Sequence, residues 1–189
     1  MIAFDIRKTI EAAAYLIKRH ACRSENYMRL IKLLYLADRL SLKERGVTIC
    51  GGSVYAMKRG PVMSQPLDLI KGRDPQSTEW EQFIKKDEFD VCLVRDPGNM
   101  NLSRADIKIL ERVAEEFRTL DEWALVHWCH KNLPEYQKNW QSRGEKTRKR
   151  IPFEDVLEAV GRTKDRNAIV SAVNERSAFA RFFNNHLPS

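Results

Sequence analysis

Long apolar runs are missing from this 189-residue chain, and no stretch approaches the ~20 residues that a membrane span needs. The N-terminus, MIAFDIRKTIEAAAYLIKRH, carries charges inside every candidate apolar core of a signal peptide, so nothing is expected to direct the chain out of the cytoplasm. Cysteine is sparse. Cys22, Cys50, Cys92 and Cys129 lie far apart and form no C-x-x-C, which leaves a zinc ribbon unsupported. Three of them sit among apolar neighbours, the pattern of buried free thiols in a reducing compartment rather than of disulfides.

Catalytic motifs are missing too. Gly51-Gly52 is too short for a phosphate loop and no Lys-Ser or Lys-Thr follows it. His127 and His130, three apart on an expected helix, could face one metal ion, but a third ligand is missing nearby and no H-E-x-x-H is present. A helix end, with His130 meeting the last carbonyls, is the simpler reading. Cys50 and Cys129 could act as nucleophiles only with a histidine close in space, and neither triad spacing nor a nucleophile elbow is present. The expectation is therefore no enzyme activity, no metal and no cofactor.

What is present is a soluble composition, 43% hydrophobic and 31% charged. The length fits one domain over residues 1–189, burying roughly 70% of its unfolded surface. The net charge of +7 permits contact with nucleic acid or an acidic protein and specifies neither.

The chain is organised around residues 27–62. Leu30, Leu33, Leu34, Ala37 and Leu40 recur at helical steps, with Ile31, Tyr35 and Leu36 beside them, so this second helix is expected to be mostly buried. Ser24 or Asn26 can cap it and Gly46 can end it. Before it, Asp5 can start a helix to about Arg19, with Ile6, Ile10 and Ile17 inward. After it, Val47–Cys50 and Ser53–Met57 are rich in β-formers around Gly51-Gly52, which predicts an antiparallel hairpin packed on the second helix. At Gly60-Pro61 the glycine frees the backbone and the proline fixes the next φ. Ser64 can cap a short helix to Lys71.

Trp80–Ile84 is ambiguous between helix and strand. Glu88–Val94 alternates like a strand and can pair with Phe83–Lys85 through a Lys86-Asp87 turn. Ser103 and Asp106 resemble a capping box before a helix with Ile107, Leu110, Val113 and Phe117 inward. Asp121 or Thr119 starts another through His130. Residues 141–150 read as a basic loop, followed by a helix from Phe153 to Val160 and a last one from Asp165 to about Asn184 with Ile169, Val173, Phe179, Ala180, Phe182 and Phe183. The expected fold is mainly α, a helical domain with a small antiparallel β element.

Two groups of residues could face a partner. Lys32, Tyr35 and Asp38 share one side of the second helix, and Tyr55 and Lys58 follow on the expected strand. Buried charges must be paired. Asp38 either bonds Tyr55, Lys58 or a backbone amide and pins helix to hairpin, or belongs with its neighbours to a partner surface. The second group is basic, Arg143 and Lys146 with Arg148, Lys149 and Arg150, preceded by Tyr136 and Trp140. It is either a solvated connector or a docking site for an acidic protein or nucleic acid.

The segments KLLYLADR and GVTICGGSVYAMKRGPV, with Ser64 close behind, resemble the signature of the Panacea antitoxin family, also described as phage-associated and similar to the SocA proteolytic-adaptor antitoxin. The resemblance is close over residues 27–71 and weaker over 102–136, where His130 and Pro134-Glu135-Tyr136 match. It implies a bacterial or phage cytoplasmic protein that binds and neutralises a toxin, by occlusion or by delivery to a protease. Gly60 and Pro61 stand in the matched motif as structural residues. Residues 137–189 lie outside the resemblance. A basic nucleic-acid-binding regulator is the alternative from another class, and the sequence does not indicate the oligomeric state.

Overall fold

The computed structural model describes residues 2–19, 23–141, 144–172 and 175. Helix α1, Ile6–Arg19, begins where the Asp5 carboxylate accepts the Lys8 amide at 3.0 Å. It ends with Lys18 and Arg19 in its last turn, where positive charge suits the helix dipole. A short strand β1, Ser24–Asn26, leads into α2, Tyr27–Arg45. Asn26 caps α2 by accepting the amides of Met28 and Arg29. Gly46, at φ +70°, closes it with its amide on the Leu42 carbonyl.

The hairpin that follows differs from the expected one. Strand β2 is Val54–Met57, and its partner is not Val47–Cys50 but β3, Gly60–Met63. The turn lies at Lys58-Arg59, not at Gly51-Gly52, and Gly60 takes the positive φ of +99°. Residues 47–50 form no strand, and the amides of Ile49 and Cys50 are taken instead by a side chain of α2, described below. Pro61 fits in β3 for a reason set by the third strand. The Ile151 amide donates to the Val54 carbonyl, so by alternation the Ala56 polar groups also face that side. Pro61, opposite Ala56, therefore occupies a non-hydrogen-bonded pair, on an edge strand, where its missing N–H leaves nothing unpaired.

That third strand is β6, Arg148–Arg150, antiparallel to β2 with Lys149 opposite Ala56. The expected basic loop is thus partly a strand; Arg143 lies outside the described residues. The second sheet runs β1-β5-β4, with β4 Ile84–Asp87 and β5 Asp90–Leu93. Its hairpin turns at Glu88-Phe89 instead of Lys86-Asp87, and Glu88 supplies the positive φ of +48°.

The remaining helices are α3 Ser64–Ile70, α4 Ser77–Glu81, α5 Arg104–Glu116, α6 Glu122–Asn132, α7 Pro134–Gln141 and α8 Phe153–Ala159. The capping box at Ser103 and Asp106 forms, and Asp121 caps α6. α4 settles the ambiguous stretch at Trp80, a fully buried indole. Residues 166–172 are helical, and Ile169 is buried; Val173, Phe179, Ala180, Phe182 and Phe183 lie outside the described residues. The chain is mainly α with two small three-stranded antiparallel sheets. α2 lies at its centre, in contact with α1, α3, α5, α6, α8, β1 and β3. A single cluster of buried residues runs from Ile10 to Ile169.

Candidate functional site

The buried face of α2 is apolar in sequence, yet it carries Arg29, Lys32, Tyr35 and Asp38 inside the core, with Arg39 beside them. Each sets up a different contact. Asp38 accepts three amides, from Ile49, Cys50 and Gly51, all at 2.8 Å. This is the backbone-amide alternative raised for it above, and it fastens the 49–51 loop rather than a hairpin strand. Burial pushes the Asp38 carboxyl up to about 6, while the three amides pull the other way. A Cβ on Gly51 would stand 2.1 Å from the Ala3 carbonyl oxygen, so the loop needs glycine to lie between α2 and the N-terminal segment.

Tyr35 points elsewhere. Its hydroxyl donates to Glu135 Oε1 at 2.8 Å, and the same oxygen accepts Arg39 Nε at 2.8 Å. Glu135, from the Pro-Glu-aromatic step at the start of α7, is buried, and the three residues lock α7 against α2. Burial raises the Tyr35 phenol well above its ordinary value, and the Glu135 charge adds to that. Arg39 and Glu135 were not expected from the sequence as a pair, since nothing local relates positions so far apart.

Lys32 is fully buried, and its ammonium makes no hydrogen bond. Desolvation lowers its amine to about 8. It lies beneath Gly60: a Cβ there would come 3.3 Å from Lys32 Cε and 3.6 Å from Cys129 Cβ. Lys32 also lines a cleft of about 300 Å³ between α2, the β2–β3 turn and α3, together with Lys58, Arg59 and Lys71. Lys58 and Arg59 are exposed at the turn, and the Arg59 guanidinium stands 4.9 Å from the ring centre of Trp123, an exposed residue on α6.

The expected cluster of Lys32, Tyr35, Asp38, Tyr55 and Lys58 is therefore divided. Lys32 and Lys58 meet at the cleft; Tyr35 and Asp38 are enclosed in separate networks; Tyr55 lies on the β3-β2-β6 sheet with Arg148 over its ring at 5.1 Å. Arg148 and Arg150 are exposed along β6, and Lys149 is half-buried. Arg59, Lys71 and Trp123 were missed. The K-R-G step at residues 58–60 was the available signal, because a glycine just after two turn residues marks a tight hairpin.

The histidine pair separates as well. His127 is exposed, while His130 stacks on Tyr136 at 4.9 Å with its Nε2 3.0 Å from the tyrosine oxygen, rather than meeting the last carbonyls of α6. Tyr136 donates to the Met57 carbonyl at 3.0 Å, tying α7 to β2. Among the described residues no three His, Cys, Asp or Glu side chains group closely enough to hold a metal ion. Cys50, Cys92 and Cys129 are free thiols, and Cys22 lies outside the described residues. Burial pushes the Cys129 thiol up to about 12 and the Cys50 thiol well above its ordinary value, which opposes formation of a nucleophilic thiolate. No helix among the described residues is long and apolar enough to cross a membrane.

A family model described as "Antitoxin SocA-like, Panacea domain" matches residues 30–137, more than half of the chain. The protein belongs to this family. The matched span contains most of α2, the whole β2–β3 hairpin and α6, so the Panacea domain includes the Asp38 clamp, the Tyr35–Glu135–Arg39 lock and the basic cleft. Strand β6 lies beyond the match, although it completes the hairpin's sheet. No curated protein and no solved structure matches the chain.

Proposed function

We propose that this protein is an antitoxin that binds a cognate protein toxin in the cytoplasm and neutralises it without chemistry of its own. The observation that carries this reading is the Panacea match over residues 30–137, which takes in most of α2 with α3, α5, α6 and the β2–β3 hairpin. Two routes lead from binding to neutralisation: occlusion of the toxin's working surface, or delivery of the toxin to a protease, which the resemblance to a proteolytic-adaptor antitoxin implies.

Co-expression with the product of an adjacent toxic reading frame tests both. Rescue of growth is expected to scale with the ratio of antitoxin to toxin, because binding without catalysis is stoichiometric. Toxin levels fall under the delivery route and hold or rise under occlusion. The reading is lost when no neighbouring product binds this protein or is neutralised by it.

A second reading, nucleic-acid binding, is favoured only by the exposed Arg148 and Arg150 on the edge strand β6. It implies weak binding that falls steeply with salt as counterions are released. Tight sequence-specific binding at physiological salt would place it first.

A further inference from the structure

We propose that the cleft between α2, the β2–β3 turn and α3 is an anchor site for the partner protein, and that it takes an acidic side chain flanked by apolar residues. This rests on the reading that the partner is a protein. The first observation is charge. Lys32, Lys58, Arg59 and Lys71 line the cleft, and no Asp or Glu does so among the described residues. The second is the state of Lys32. Arg29, Arg39 and Arg45 of the same helix each meet a carboxylate, from Glu25, Glu135 and Asp106 respectively. Lys32, more deeply buried than Arg39 or Arg45, meets none. An ammonium withdrawn from water without a partner carries an uncompensated desolvation penalty, which an incoming carboxylate would offset.

The rest of the cleft decides the class of anion. Ile31, Val62 and Leu67 form much of its wall. A bare phosphate would gain nothing from that surface, whereas an acidic residue between apolar ones would bury its neighbours there. The volume of about 300 Å³ suits one or two side chains. At the rim, Arg59 over the exposed Trp123 supplies the residue types that dominate binding energy at protein interfaces. A side chain at Gly60 would crowd the Lys32 Cε.

The test is selection of phage-displayed random peptides on the full chain, followed by affinity measurement with synthetic peptides. Enriched peptides are expected to carry Asp or Glu beside apolar residues. Their affinity should fall at least about tenfold in Lys58→Glu/Lys71→Glu and in Lys32→Met, the loss typical of breaking a desolvated charge pair. Changing the peptide's acid to its amide should weaken binding to wild type and not to Lys32→Met. Lys32→Met should melt no lower than wild type, which separates lost binding from lost fold.

The proposal is overturned if enriched peptides lack acids, if the variants bind them as wild type does, or if no peptide is enriched. It is also overturned if inorganic phosphate protects the wild-type fold as well as the peptides do, since the cleft would then hold free anions. A toxin that binds wild type and these variants equally would remove this site and leave the antitoxin reading standing. A toxin that binds neither would remove that reading, and the peptides alone would then decide the site.

Discussion

Replacing Lys32 with methionine removes a buried ammonium that has no hydrogen-bond partner and roughly keeps the length of the side chain. Burial holds the amine at about 8 instead of 10.5, and each pH unit corresponds to about 1.4 kcal/mol, so Lys32→Met is expected to be more stable by about 3 kcal/mol at pH 7. The folded-state value lies below the unfolded one, so between the two the unfolded chain holds the extra proton. Wild-type stability therefore rises as pH climbs through that window, and the advantage of the variant shrinks to about 1 kcal/mol near pH 10. Urea denaturation of both proteins at pH 7 and pH 10 checks this; an equal gap at both would contradict it. Gly60 lies above the same amine at φ +99°. Gly60→Ala is expected to lose about 1–3 kcal/mol through backbone strain, and Gly60→Val to lose the fold and with it any rescue. Thermal melts of the purified variants decide between strain and tolerance. Gly60-Pro61 was legible as a special step in the chain, but its neighbour across the fold, Lys32, was not.

At the scale of elements, the β2–β3–β6 sheet separates backbone from side-chain roles. Pro61 sits in a non-hydrogen-bonded pair, whereas Val62 opposite Tyr55 sits in a hydrogen-bonded one. Val62→Pro is thus expected to cost about 1–3 kcal/mol by removing a ladder donor, and Pro61→Ala much less. A shift of the urea midpoint for both substitutions alike would show the register to be wrong. Strand β6 is held by main-chain pairing with β2, so replacing Arg148, Lys149 and Arg150 with Ala should leave it in place. The Arg148 contact with Tyr55 accounts for about 0.5–1 kcal/mol of the loss. Circular dichroism reports the fold, and toxin pull-down reports whether the strand's charges take part in docking. Their position on an edge also guards the sheet against pairing with another chain.

For the whole molecule, α2 works as a polar hub inside an apolar core. Arg29 holds the Phe117 and Leu120 carbonyls at the α5–α6 connection, at 2.9 and 2.7 Å, and pairs with Glu25. Arg45 reaches Asp106 at the head of α5, and Arg39 with Tyr35 holds Glu135 at the head of α7. Breaking one such tie leaves a charge stranded. Arg39→Met is expected to destabilise the fold by about 3 kcal/mol, and Arg39→Met with Glu135→Leu by less, because the second change removes the unpaired carboxylate. A double-mutant cycle by denaturant titration measures the difference, and additive losses would mean that the pair is not coupled.

The sequence by itself determined α1, α2, α3, α5, α6 and α8 to within a few residues, but neither α4 nor α7. Asn26, Gly46, Asp121 and the Ser103–Asp106 box act within a few residues, and the apolar steps of α1, α2 and α5 show which faces turn inward. It also carried the family, through KLLYLADR and the segment ending in GPV. The pairing of β4 with β5 was also legible, apart from its turn, whereas only the tertiary structure decided the partners of β2. Val47–Cys50 and Val54–Met57 have similar β-forming composition, and in the first the amides of Ile49 and Cys50 are taken by the Asp38 carboxylate arriving from another element. The structure likewise decided which buried charges are paired. Arg39 finds Glu135 and Lys32 finds none, although both lie on the same stretch of α2. Helix capping and periodicity are properties of neighbouring residues, whereas pairing and desolvation depend on groups that only the folded chain brings together.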